Sequence, residues 1–81
     1  MDTIFITVKI PGQDAMDLKV PNYFTGEEFL SILSEVTGAD FSEKTKIQAE
    51  PIGRILDNAQ TFESDGVDTG ALLTLIQNGG G

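Results

Sequence analysis

The sequence predicts an α+β domain: a mixed sheet of four to five strands packed on one helix, in the order strand, strand, helix, strand, short strand, strand. Three observations carry that prediction. Residues 3–10 alternate between apolar and polar side chains. A capping signal at Thr25–Glu28 opens an apolar pattern with helical spacing. A nearly continuous apolar run, residues 71–77, lies between Gly70 and Asn78.

In the first strand Ile4, Ile6, Val8 and Ile10 share one face, while Phe5, Thr7 and Lys9 share the other. Pro11-Gly12 then signals a type II turn, in which proline presets φ and glycine accepts a positive φ. Met16, Leu18 and Val20 alternate again, so residues 3–21 read as a β-hairpin. At Thr25-Gly26-Glu27-Glu28 the hydroxyl of Thr25 can accept from the Glu28 N–H, and the Glu28 carboxylate can reach back to the cap. Two acids suit the positive end of the helix dipole, and Phe24 can staple onto Phe29. Phe29, Leu30, Ile32, Leu33 and Val36 form the expected buried stripe, and Gly38 the expected terminator, of a helix over residues 26–37.

Further on, residues 45–50 and the pair Ile55-Leu56 read as strands, and Asp57-Asn58-Ala59-Gln60 as a turn. Leu72, Leu73, Leu75 and Ile76 suit a central strand better than so short a helix. A hairpin followed by one helix buries the helix stripe against the sheet face carrying Ile4, Ile6, Met16, Leu18 and Val20. The last strand must then find an open hairpin edge, and pairing it parallel to the first strand gives a β-grasp sheet.

Composition limits the chemistry. The chain has 81 residues, 13 acidic against 5 basic side chains and a formal net charge of −8, with no His or Cys. Such a length supports a single modest core. Without Cys there is no disulfide, thiolate nucleophile or thiolate metal site, and without His the commonest general base is missing. What remains is carboxylate-only chemistry or a hard-cation site, and the expectation is that the protein is not an enzyme. The acid pairs and triplets, Asp14 with Asp17 and Glu63 with Asp65 and Asp68, match no Ca²⁺-loop spacing and read as solvated surface. Net negative charge argues against nucleic acid and anionic membranes as partners. There is neither a basic leader with an apolar run nor a stretch long enough to span a membrane, so a cytoplasmic monomer is expected.

Residues 53–62, Gly53-Arg54-Ile55-Leu56-Asp57-Asn58-Ala59-Gln60-Thr61-Phe62, continuing through Val67 to Ile76, can be laid without a gap on the corresponding part of ubiquitin. Ile4-Phe5 also looks like ubiquitin's inward isoleucine and exposed phenylalanine. Val8-Lys9-Ile10, Asp17-Leu18-Lys19-Val20-Pro21 and the aromatic pair before the helix look more like the bacterial YukD/EsaB ubiquitin-like proteins. The chain thus resembles the ubiquitin-like β-grasp family. The YukD/EsaB likeness implies an accessory factor of type VII secretion acting by protein–protein contact. Members of that family usually stop at the last strand, whereas this chain continues as Gln77-Asn78-Gly79-Gly80-Gly81.

That ending resembles the tails of ubiquitin-like modifiers and ThiS/MoaD sulfur carriers, whose terminal carboxylate is adenylated by an ATP-using activating enzyme and passed on. The resemblance assigns the reactive carboxylate to Gly81 and the threading role to Gly80 and Gly79. Glycine suits a threaded tail because no Cβ obstructs a narrow channel or the approach of a nucleophile. Residues 77–81, extended, would reach roughly 17 Å past the last strand. The domain is therefore read as residues 1–77, and residues 78–81 as a flexible tail.

Recognition also needs a docking face. Of ubiquitin's apolar patch, Ile76 matches one member, while the central isoleucine falls near Glu50 and the loop leucine near Gly12. Alternation turns Leu73 and Leu75 inward and leaves Leu72 and Ile76 outward beside Phe5, a candidate apolar strip. Ubiquitin's chain-linking lysine corresponds to Arg54, which leaves Lys9, Lys19, Lys44 and Lys46 as amines. The functional expectation is a prokaryotic ubiquitin-like modifier that binds no cofactor itself. Its partners would be activating and conjugating enzymes, a deconjugating peptidase and target proteins. The alternatives are a non-covalent secretion accessory and a sulfur carrier.

Overall fold

The computed structural model describes residues 2–41 and 45–76. Strand β1, Thr3–Lys9, places Ile4, Ile6 and Val8 in the core, and Ile10 follows them just past its end. The chain then reverses through the expected type II turn: the Gln13 N–H donates to the Ile10 carbonyl at 3.0 Å, with Gly12 at φ +82°. Strand β2, Met16–Pro21, returns antiparallel, in a register running from Thr3 opposite Pro21 to Val8 opposite Met16.

Helix α1, Gly26–Thr37, starts as its capping residues dictate. The Glu28 N–H donates to the Thr25 hydroxyl at 3.1 Å, and the Thr25 N–H donates to the Glu28 carboxylate at 3.0 Å. It ends at Gly38, whose left-handed φ of +76° lets its N–H reach the Ser34 carbonyl at 2.9 Å. Phe29, Leu30 and Leu33 are buried, but Ile32 and Val36 are not: they stay 38% and 66% exposed. At roughly 100° per residue the buried arc runs from Phe29 to Leu30, and Ile32 falls well outside its Phe29 edge. Val36 lies nearer that edge but in the last turn of the helix. The expected stripe is therefore narrower than its apolar residues.

Strand β3, Lys46–Glu50, is followed by the two-residue strand β4, Arg54–Ile55. Thr45 and Leu56 fall just outside these strands; Leu56 is buried, and its N–H donates to the Ile47 carbonyl at 2.8 Å. Asp57 makes the predicted turn, accepting from the Ala59 N–H through its carboxylate at 2.9 Å and from the Gln60 N–H through its carbonyl at 2.9 Å. A second, short helix, α2 (Phe62–Asp65), was not expected. It is capped by Thr61 and stopped by Gly66, and one turn is too short for any hydrophobic period to announce it. Strand β5, Ala71–Ile76, completes the sheet.

The order across the sheet is β2-β1-β5-β3-β4, with β5 parallel to β1 and antiparallel to β3. This is the β-grasp arrangement, a mixed five-stranded sheet with α1 across one face. Leu73 and Leu75 of β5, Ile47 of β3 and Phe29 of α1 meet in the core. Phe62 enters it from α2 and packs edge to face on Phe29, with ring centroids 5.3 Å apart.

The start of α1 is held against the 57–62 segment. The Glu27 N–H donates to the Asn58 carbonyl at 3.0 Å, and the Phe62 N–H to the Phe24 carbonyl at 2.9 Å. A Cβ on Gly26 would stand 2.7 Å from Asn58 Oδ1 and 2.9 Å from its Cα, so only glycine fits. Alanine favours helix by about 1 kcal/mol over glycine, but the collision with backbone costs about 1–3 kcal/mol. Gly26→Ala is therefore expected to lower stability in urea unfolding; an unchanged or raised midpoint would contradict this packing.

Candidate functional site

The strand that leads to the glycine tail is paired on both sides. Ile6 to Lys9 of β1 stand opposite Ala71 to Thr74, and Lys46 to Glu50 of β3 stand opposite Ile76 to Leu72. The last described residue, Ile76, is thus in the ladder beside Lys46, at the end of the sheet where β1 turns into β2. Residues Gly79, Gly80 and Gly81 lie outside the described residues, as does Lys44.

The sheet face turned away from α1 carries the other candidate residues in rows set by the register. One row reads Asp17, Thr7, Leu72, Glu50. The next reads Lys9, Thr74, Gln48, Ile55. Leu72 and Glu50 are brought side by side, and both are half-buried. Ile76 shares its row with Lys46 instead. Phe5 sits two residues before Thr7 on the same face, so it neighbours Leu72 diagonally but lies roughly 20 Å from Ile76 along the strands. Thr7 and Thr74 stand between the two ends.

Polar contacts occupy much of this face. Thr7 donates its hydroxyl proton to Asp17 at 2.7 Å, and Gln48 Nε2 donates to the Glu50 carboxylate at 3.0 Å. The Lys19 ammonium stands 5.7 Å from the centroid of the Phe5 ring, a cation–π contact on a side chain 58% exposed. Gly12 occupies the β1–β2 turn, at the end of the sheet where Ile76 lies.

Arg54, aligned with a lysine in the ubiquitin resemblance, is tied to α2. Its guanidinium donates to the Asp65 carbonyl at 2.6 Å and pairs with the Asp65 carboxylate at 3.4 Å. Asp65 is buried and its second carboxylate oxygen has no hydrogen-bond partner among the described residues, so Arg54 supplies its charge compensation. Among the described residues, no group of three acids is placed to hold a metal ion. No described helix is long and apolar enough to cross a membrane.

On the opposite side of the sheet an open groove of about 700 Å³ runs along α1. Leu30 and Phe41 give it apolar walls, and Ser34, Asn58, Lys46 and Asp57 polar ones. Its lining contains no imidazole or thiol.

No family model matches the chain, and no curated protein matches it. Solved structures do match. A designed protein based on ubiquitin superposes with a TM-score of 0.79 at 24% identity, covering 98% of this chain and 93% of that one. Ubiquitin of Caldiarchaeum subterraneum matches with a TM-score of 0.75 at 23% identity over 99% of this chain and 100% of its own. The ubiquitin-like domain of tubulin-binding cofactor B gives 0.77 at 19% identity, covering 99% and 94%. The fold is ubiquitin-like. These neighbours include a ubiquitin and a ubiquitin-like domain from a tubulin-binding cofactor, so the ubiquitin-like scaffold by itself does not distinguish conjugation from binding.

On this ubiquitin-like scaffold the two faces differ in what they can lose. Phe5→Ala removes a ring more than half in water and is expected to change stability by less than about 1 kcal/mol. Phe62→Ala empties a fully buried site and is expected to cost about 3–5 kcal/mol. Urea unfolding of both variants checks the contrast; a large loss for Phe5→Ala would mean that its ring belongs to the core.

Proposed function

We propose that the chain is a prokaryotic ubiquitin-like protein modifier, transferred to a nucleophile on another protein through the carboxyl of Gly81. The ubiquitin-like fold is the platform. The observation that carries the reading is the position of β5, a central strand paired on both sides and followed five residues after Ile76 by Gly81. A strand so clamped gives the tail a fixed origin, and Gly79-Gly80-Gly81 gives it a Cβ-free end.

The division of labour follows from composition. The chain has no His and no Cys, so the modifier would be the substrate and an activating enzyme would supply ATP chemistry and the receiving thiol. In such a transfer the Gly81 carboxylate oxygen attacks the α-phosphate of ATP, releasing pyrophosphate. A thiolate then displaces AMP, and an acceptor amine displaces the thiolate. The acidic surface suits a basic face on that partner, with an encounter rate that falls as salt rises. Conjugating enzymes, a deconjugating peptidase and target proteins complete the proposed set of partners. Of the four possible acceptor lysines on the modifier itself, Lys9, Lys19 and Lys46 are exposed in the described residues.

The test is an N-terminally tagged chain expressed in its native host beside a version lacking Gly80 and Gly81, both blotted after denaturation and reduction. Bands heavier than the free protein are expected only with the glycines present, and mass spectrometry of those bands should show the Gly81 carbonyl on an acceptor amine. Free protein alone in both lanes would overturn conjugation. It would leave a non-covalent role, as in a secretion accessory, or sulfur transfer from a terminal thiocarboxylate.

A further inference from the structure

Glu27, Ser31 and Ser34 recur along α1 at spacings of four and three residues, so they share one flank of the helix. Leu30 lies between that flank and the buried side. All four line the groove, together with Lys46 of β3 and residues of the turn after β4. Ser31, Ser34 and Ala59 are short, and the space they border, about 700 Å³, stays unfilled. Its frame is tied across the fold. The Glu27 N–H donates to the Asn58 carbonyl at 3.0 Å, and Asn58 Nδ2 donates to the Thr45 carbonyl at 3.0 Å. The Asp57 carboxylate accepts from the Ala59 N–H at 2.9 Å. The groove is therefore already shaped, and filling it requires little reordering of backbone.

The lining mixes two chemistries. Leu30 and the half-buried Phe41 supply apolar surface. Glu27, Glu35 and Asp57 are exposed carboxylates, and among the described residues none of them is ion-paired. Lys46 is the one cation among the described lining residues. A metal ion or a polyamine would use the carboxylates and leave Leu30 and Phe41 in contact with water. A wholly apolar ligand would take water from the carboxylates and give them no counter-charge in return. A cationic side chain next to an aliphatic one satisfies both.

We infer that the groove between α1 and the turn after β4 binds a short segment of another protein in which an aliphatic residue is flanked by arginine or lysine. The aliphatic side chain would sit against Leu30 and Phe41, and the cationic ones would pair with Glu27, Glu35 and Asp57. An open groove suits such a segment, because the chain can continue past both ends. Charge excludes a second copy of this chain, which would bring −8 against −8. The site is on the β3 side of α1, away from β2, and it requires neither Gly81 nor conjugation.

The experiment is an NMR titration of the isotope-labelled full chain with a capped peptide in which arginine and leucine alternate. A second peptide carries glutamate in place of each arginine. Saturable shifts are expected at the Leu30 methyls and at the Ser31, Ser34 and Ala59 amides. The glutamate peptide should bind at least about tenfold more weakly than the arginine peptide at low salt. Ser31→Arg puts a long cation at an exposed helix position and should weaken binding of the arginine peptide at least about tenfold. The triple variant Glu27→Gln, Glu35→Gln, Asp57→Asn keeps the side-chain shapes and should weaken it as much, with the spectrum outside the groove unchanged. Shifts centred on Phe5 and Leu72 or on Asp17 and Lys19, no saturation at millimolar peptide, or undiminished binding by Ser31→Arg would overturn the site. Equal binding of the two peptides, or full binding by the triple variant, would overturn the basic partner. Concentration-dependent shifts at the groove residues without peptide would overturn it too, by assigning the groove to self-association.

Discussion

The fully buried edge-to-face contact between Phe29 and Phe62 joins the two parts of the chain that the fold must bring together. Phe29 belongs to the helix that covers the sheet, and Phe62 to a one-turn helix more than thirty residues later. Aromatic rings bury large apolar areas and add a geometric preference to them, so this pair fixes both distance and orientation. The 57–62 segment is drawn against the start of α1, where the Phe24 and Asn58 carbonyls accept backbone N–H groups. Gly26 is the steric consequence, because the approach leaves no room for a Cβ.

Two faces remain after the core is made, and their chemistry differs. The open sheet face is a mixed surface: Leu72 lies between Thr7 and Glu50, Phe5 lies beneath the Lys19 ammonium, and Ile76 is set apart beside Lys46. It offers local apolar points separated by hydrogen-bonded polar groups. The α1–β2 flank combines the exposed apolar residues Ile32 and Val36 with a strand that, among the described residues, is paired on one side only.

Much of the fold was legible because its signals are local. Alternation in β1, the Thr25–Glu28 box, the Pro11-Gly12 turn and the apolar run of β5 each act over a few residues, and the structure follows them. The short helix α2 was not legible by periodicity, although Thr61 before it and Gly66 after it are the residues such a turn needs. Ile32 and Val36 were misplaced for a related reason. Apolar spacing marks the residues that could be buried, whereas the width of the buried arc depends on how the helix lies on the sheet. Of the candidate site, the outward direction of Leu72, Ile76 and Phe5 follows from alternation within single strands. Their separation does not, because it depends on register between strands far apart in sequence.

The sequence alone determined the strand faces, the ends of α1 and the absence of imidazole and thiol chemistry, because these follow from residue type and local spacing. Tertiary structure decided that β5 enters between β1 and β3, that Arg54 pairs with Asp65, and that among the described residues no strand pairs with the outer edge of β2. Those features arise from long-range pairing, in which loop closure and core packing select one arrangement among several that the same local pattern allows.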